Sequence, residues 1–133
     1  MLTEKDYCDY ETCVALKELG YNGTAGECSH FGAFHMNGKE IFYDRLYNSE
    51  LKENECLRVP LYLAQKWLRE EKDIFIYPIV DKFLDEEGNT MWNCQIYIPY
   101  VLIKFTHPKN TFEDALLDGI KEAIKFIKEN EET

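Results

Sequence analysis

The side chains with the most chemical potential lie near the start of the chain. Cys8, Cys13, Cys28 and His30 offer four nitrogen or sulfur donors in the first thirty residues, with His35 close behind. Tetrahedral zinc takes four such ligands, and a ligand pair on one knuckle is normally about two to four residues apart. Cys8 and Cys13 enclose four residues, the limit of that spacing, and the single residue between Cys28 and His30 is too tight. Cys13 also falls on the apolar stripe of a helix. Thiols packed as small hydrophobes, with histidines at the surface, are therefore the favoured reading, and neither a metal nor a cofactor is assigned. A thiol nucleophile would need a cysteine beside His30, His35 or His107, and no glycine-flanked turn singles one out. The neighbouring carboxylates Glu86-Glu87, Glu113-Asp114 and Glu131-Glu132 fall on a turn, a helix cap and a tail, where solvation and capping already explain them. Gly20, Gly23 and Gly26 lack the preceding strand and following Lys-Ser/Thr of a phosphate loop. No catalytic residue is assigned, and the balance leans away from an enzyme.

Aromatic residues make a different kind of site. Phe42-Tyr43, Leu46-Tyr47, Tyr62 and Tyr77 have the composition of a protein–protein contact core, with sheet-face packing and scattered surface tyrosines as the plainer alternative. Phe42, Tyr43, Tyr47, Tyr62 and Tyr77 are the candidate interaction patch.

Charge narrows the partners. The chain carries 15 basic against 25 acidic residues, a net charge of −10, and no basic run. Phosphate backbones and anionic membranes are bound by clustered Lys and Arg, so direct contact with nucleic acid or a membrane surface is not expected. A scattered acidic surface ordinarily confers solubility; the sharper alternative is an inhibitor that imitates nucleic acid toward a nucleic-acid-binding protein. No stretch reaches the length of a membrane span, and the polar start lacks the apolar core of a signal. Five cysteines are an odd number for a disulfide framework. A cytoplasmic protein with reduced thiols is the expectation.

The elements that must position these residues are best marked from Pro60 onward. A first helix should follow Asp9, which can cap it, and end at Gly20; its stripe is Cys13, Leu16 and Leu19. Phe31–Met36 and Glu40–Tyr47 flank Asn37-Gly38, a strong hairpin signal. Asn48–Glu55 reads as a polar surface loop within one domain spanning residues 1–133. A helix opens behind Pro60 with Leu61, Ala64, Trp67 and Leu68 buried. Ile74–Val80 and Trp92–Ile98 form a hairpin across the turn 85–89, with Trp92, Cys94, Ile96 and Ile98 on one face and Asn93, Gln95 and Tyr97 on the other. Pro78 has no amide donor and belongs at an edge or bulge. Val101–Phe105 either continues the sheet or leaves it. Thr111 and Asp114 cap a long tail helix, in which Gly119 marks a close approach to the sheet, and residues 129–133 should fray. The fold class is α+β, an antiparallel sheet packed by helices in the order α-β-β-α-β-β-α.

The segment Val59-Pro-Leu-Tyr-Leu-Ala-Gln-Lys-Trp-Leu-Arg-Glu70, the hairpin after it, Tyr7-Cys8 and Phe112-Glu-Asp-Ala115 resemble small uncharacterised proteins encoded in gut Bacteroidales genomes, phages and mobile elements. The likeness covers most of the chain, is weakest over residues 23–55, and rests on structural motifs that carry no catalytic assignment. It implies an accessory protein of phage or mobile-element origin. The leading expectation is a non-enzymatic protein that binds another protein or itself; the acidic inhibitor and a small enzyme or ligand binder are the alternatives.

Overall fold

The computed structural model describes residues 3–23, 33–35, 40–41, 48, 51, 55–80, 87–99 and 101–131. The class is α+β, with antiparallel sheets and, among the described residues, three α-helices. By their contacts the residues divide into two compact units, Met1–Pro60 and Leu61–Thr133.

In the first unit, Asp9 caps helix α1 (Tyr10–Glu18) by accepting a hydrogen bond from the Thr12 amide at 3.0 Å. The helix ends as expected at Gly20, whose φ of +106° favours a residue without a Cβ. The amides of Gly20 and Tyr21 turn back to the carbonyls of Lys17 and Leu16 at 3.1 and 2.9 Å, which satisfies two terminal carbonyls. Strands β1 (Ala33–His35) and β2 (Glu40–Ile41) pair antiparallel across the expected Asn37-Gly38 connection, which itself lies outside the described residues. A third strand, β3 (Glu55–Leu57), pairs with β1 on its other side and goes beyond the expected elements. The segment from Asn48 to Glu55 reads as a surface loop in sequence, yet Asn48 and Glu55 are both buried. Asn48 is a polar hub: its Nδ2 donates to the Tyr21 carbonyl at 2.5 Å, its Oδ1 accepts from the Leu57 amide at 2.9 Å, and its amide donates to the Asn22 carbonyl at 3.1 Å. Cys13, Leu16, Tyr21, Cys56, Leu57 and Val59 complete the core around it.

The second unit opens with α2 (Leu61–Lys72). It buries Leu61, Leu63, Ala64 and Leu68; Trp67 is only half-buried, with the Lys72 ammonium 5.7 Å from its ring centre. Strands β4 (Phe75–Val80), β5 (Trp92–Tyr97) and β6 (Leu102–Phe105) form a sheet in that order, so the Val101–Phe105 segment continues the sheet. Two strands beyond the expected four, β3 and β6, make the order of helices and strands among the described residues α-β-β-β-α-β-β-β-α. Helix α3 (Phe112–Glu131) starts at Thr111, whose hydroxyl accepts from the Asp114 amide at 3.1 Å; of the segment 129–133 expected to fray, residues 129–131 are helical and 132–133 lie outside the described residues.

Register separates the faces of this sheet. Cys94 and Ile96 are buried beneath α3, in the alternation read from β5. Gly119 is the close approach: a Cβ there would lie 2.7 Å from Ile76 Cγ2 and 2.8 Å from Cys94 Sγ. The Cys94 thiol donates to the Ala115 carbonyl at 2.9 Å. Burial pushes this thiol from its ordinary 9.0 up to about 12, opposed by a hydrogen bond from the Gly119 backbone and reinforced by the Asp118 charge. The folded state therefore holds the proton more tightly than the unfolded chain does. The stability linked to this proton is complete below pH 9.0 and is lost as the pH rises through about 12. Thiol reagents at neutral to mildly alkaline pH are expected to modify Cys94 no faster than the unit unfolds, which mass spectrometry of the labelled peptide checks.

Candidate functional site

Among the described residues the sequence-derived candidates do not gather into one chemical centre. Cys8 and Cys13 are buried thiols, neither joined in a disulfide. Cys13 Sγ lies 3.7 Å from the Cys8 carbonyl, to which it donates, and 3.5 Å from the Val59 amide, from which it accepts. Cys28 and His30 lie outside the described residues. Among the described residues no group of three or more His, Cys, Asp or Glu is arranged to hold a metal ion. His107 is exposed after β6. Of the aromatic patch, Phe42, Tyr43 and Tyr47 lie outside the described residues, Tyr62 is 49% exposed on α2, and Tyr77 is 46% exposed on β4.

Tyr77 belongs to a surface that sequence reasoning does not assemble. Residues paired across strands share a face. Phe75 pairs with Tyr97 and Tyr97 with Leu102; Tyr77 pairs with Gln95 and Gln95 with Phe105; Ile79 pairs with Asn93. These rows run across the side of the sheet opposite Ile76, Cys94 and α3. The Tyr77 ring stacks on Phe75 at 6.4 Å and meets Tyr97 edge-on at 5.9 Å, while the Tyr97 hydroxyl donates to Gln95 Oε1 at 2.9 Å. No formal charge interrupts these rows. Alternation along β5 sets Tyr97 beside Asn93 and Gln95 from sequence alone; register is needed to bring Phe75, Tyr77, Leu102 and Phe105 to them.

The two sheet edges differ. On β4, the Ile76 carbonyl accepts from Gln65 Nε2 at 2.7 Å, and Pro78 has no amide to offer. Both features blunt the edge, and Pro78 lies at an edge as the sequence suggests. On β6, all four residues are exposed, Phe105 at 54%, and the adjoining Val101 at 64%. The Thr106 amide turns inward to the Cys94 carbonyl at 3.0 Å, so alternation turns the amide and carbonyl of Phe105 outward. Among the described residues no strand lies beside that edge.

A groove of about 180 Å³ continues from this edge beneath α3, with Ile96, Ile103 and Phe126 as its apolar lining and Lys104, Glu122, Lys125 and Glu129 around them. A bulge at Ile96/Tyr97 lets Ile103 and Lys104 both reach this side. Lys104 is tied to Glu122 at 2.8 Å and so does not stand guard at the edge. From Gly88 to Phe112 there is no Asp or Glu, in a chain that has 25. The two lysines of that span are matched, Lys104 by Glu122 and Lys109 by Asp118 at 3.4 Å. The sheet is thus an uncharged zone on an acidic chain.

No family model, no curated protein and no solved structure matches this chain. No described helix is long and apolar enough to cross a membrane.

Proposed function

We propose that this chain is a non-enzymatic, intracellular protein-binding accessory protein, and that its partner is a protein docked on the open edge and uncharged aromatic face of the β4–β5–β6 sheet. The observation that carries this reading is β6, a strand exposed along its whole length at an edge beside which no described strand lies. Exposed edges of this kind template strand addition, in which backbone hydrogen bonds supply affinity and alternate side chains supply specificity. The adjoining rings of Phe75, Tyr77 and Tyr97 add the aromatic composition typical of contact cores. The four described cysteines are buried thiols outside any disulfide, which suits a reducing compartment. An origin in phage or mobile elements follows from the resemblance alone.

A photo-crosslinking phenylalanine analogue at position 105 of the full chain, expressed in cells, tests the reading. A discrete protein adduct is expected from position 105 and none from Glu70, which is exposed on α2. No adduct from position 105, or equal adducts from both positions, would count against it.

A further inference from the structure

We infer that the protein partner is a second copy of this chain, paired antiparallel through β6 so that two three-stranded sheets become one six-stranded sheet. The inference rests on the protein-binding reading above and names the partner for that surface.

Three observations select a copy. The first is charge. Each chain carries a net charge of −10, so two copies repel across most orientations. The span from Gly88 to Phe112 has no carboxylate, and α3 already neutralises its two lysines. Two copies can meet there without opposing like charges.

The second is the selectivity of the edges. Gln65 and Pro78 close the β4 edge, whereas Phe105 turns its amide and carbonyl outward at the other. Closing one edge and leaving the second apolar limits growth to a pair, because a twofold β6–β6 contact consumes the open edge of both copies.

The third is the fit of β6 to its own slot. A twofold axis at Phe105 sets its outward amide and carbonyl against those of Phe105 of the second copy, and Lys104 against Thr106 of the second copy. The two Lys104 side chains are thereby kept apart, as directly opposed like charges on a sheet destabilise it. The arriving strand lies beside the groove beneath α3, whose apolar lining of Ile103 and Phe126 can take apolar side chains from it.

The contact joins apolar surface and backbone between like-charged bodies, so salt should strengthen it by screening the remaining repulsion. Contacts made by opposite charges would weaken instead.

Sedimentation velocity on the full chain is the test. The wild type is expected to sediment as a species of twice the 15.7 kDa chain mass, with the dimer fraction rising with concentration and with salt. Ile103→Lys and Phe105→Glu, at exposed positions, are expected to shift association at least about tenfold toward monomer with unchanged far-UV circular dichroism. A wild-type monomer at every concentration, or a dimer that both variants leave intact, would overturn the inference. A monomer that still crosslinks from position 105 to a different protein overturns the second copy and leaves the protein-binding reading standing. A monomer with no such adduct overturns both.

Discussion

Gly119→Ala is expected to destabilise the second unit by about 2 kcal/mol, the reverse of what the same change does on an open helix. Ala in place of Gly in an exposed helix interior gains about 1 kcal/mol. Here the new methyl would sit 2.7 Å from Ile76 Cγ2, 2.8 Å from Cys94 Sγ and 3.0 Å from Cys94 Cβ. Those groups belong to adjacent paired strands and are almost fully buried, so neither can swing aside. Overpacking of a tight core costs about 1–3 kcal/mol, and moving α3 off the sheet would also strain the Cys94–Ala115 hydrogen bond. The cost outweighs the propensity gain, and the melting temperature should fall by roughly 8 °C. Cys94→Ala removes the sulfur from this crowd. The double variant should therefore show a favourable coupling of about 1 kcal/mol by denaturant unfolding. A more stable Gly119→Ala protein would mean that α3 does not lie this close to the sheet.

The second large effect is expected at Asn48. Its side chain donates to the Tyr21 carbonyl and accepts from the Leu57 amide, joining the end of α1 to β3 inside the first unit. Asn48→Ala leaves both backbone groups buried without that partner. At about 1–3 kcal/mol for each unsatisfied group, the loss should reach about 3 kcal/mol. Asn48→Asp separates the two bonds and makes them pH-dependent. An ionised carboxylate can still accept from Leu57, but it cannot donate to Tyr21 and it buries a charge. Protonation restores the donor, so the folded state should hold the proton more tightly than the unfolded chain. The pKa of the introduced carboxyl is thus raised on folding. The stability linked to that proton is complete below the unfolded value of about 3.9 and is lost as the pH rises through the folded value. Melts of Asn48→Asp against pH, with wild type alongside, should show the variant gaining on wild type as the solution is acidified. A constant difference would mean that the side chain is not the joint described here.

Much of the fold was legible because local physics wrote it. Asp9, Gly20 and Thr111 mark helix ends through hydrogen bonds within a turn, and Gly119 marks a crossing because nothing else explains glycine on an apolar stripe. Pro78 announced an edge by its missing amide, and Cys94 and Ile96 announced a buried face by alternation. The missed features are non-local. Strand β3 is three residues long and buried at each, so it has no alternation to display. Asn48 looks like loop material until Tyr21 and Leu57 close around it. Helical spacing places Trp67 in the core and passes over Leu63, because it gives the direction of a stripe more reliably than its width. The candidate surface suffered most from this limit. Tyr77 stands out in sequence, but Phe75, Tyr97, Leu102 and Phe105 join it only through the register of three strands. The difference between a blunted and an open edge depends on which way each amide points.

The open β6 edge is tested most directly by the hydrogen exchange of the Phe105 amide, which points away from β5. If a second copy pairs with that edge, exchange at Phe105 should slow as protein concentration rises and return to its fast rate in Ile103→Lys. Thr106, whose amide is bonded inward to Cys94, should show no such dependence on pairing. Rapid exchange at Phe105 that is the same at every concentration, and the same in wild type and variant, would contradict a strand-pairing role for β6.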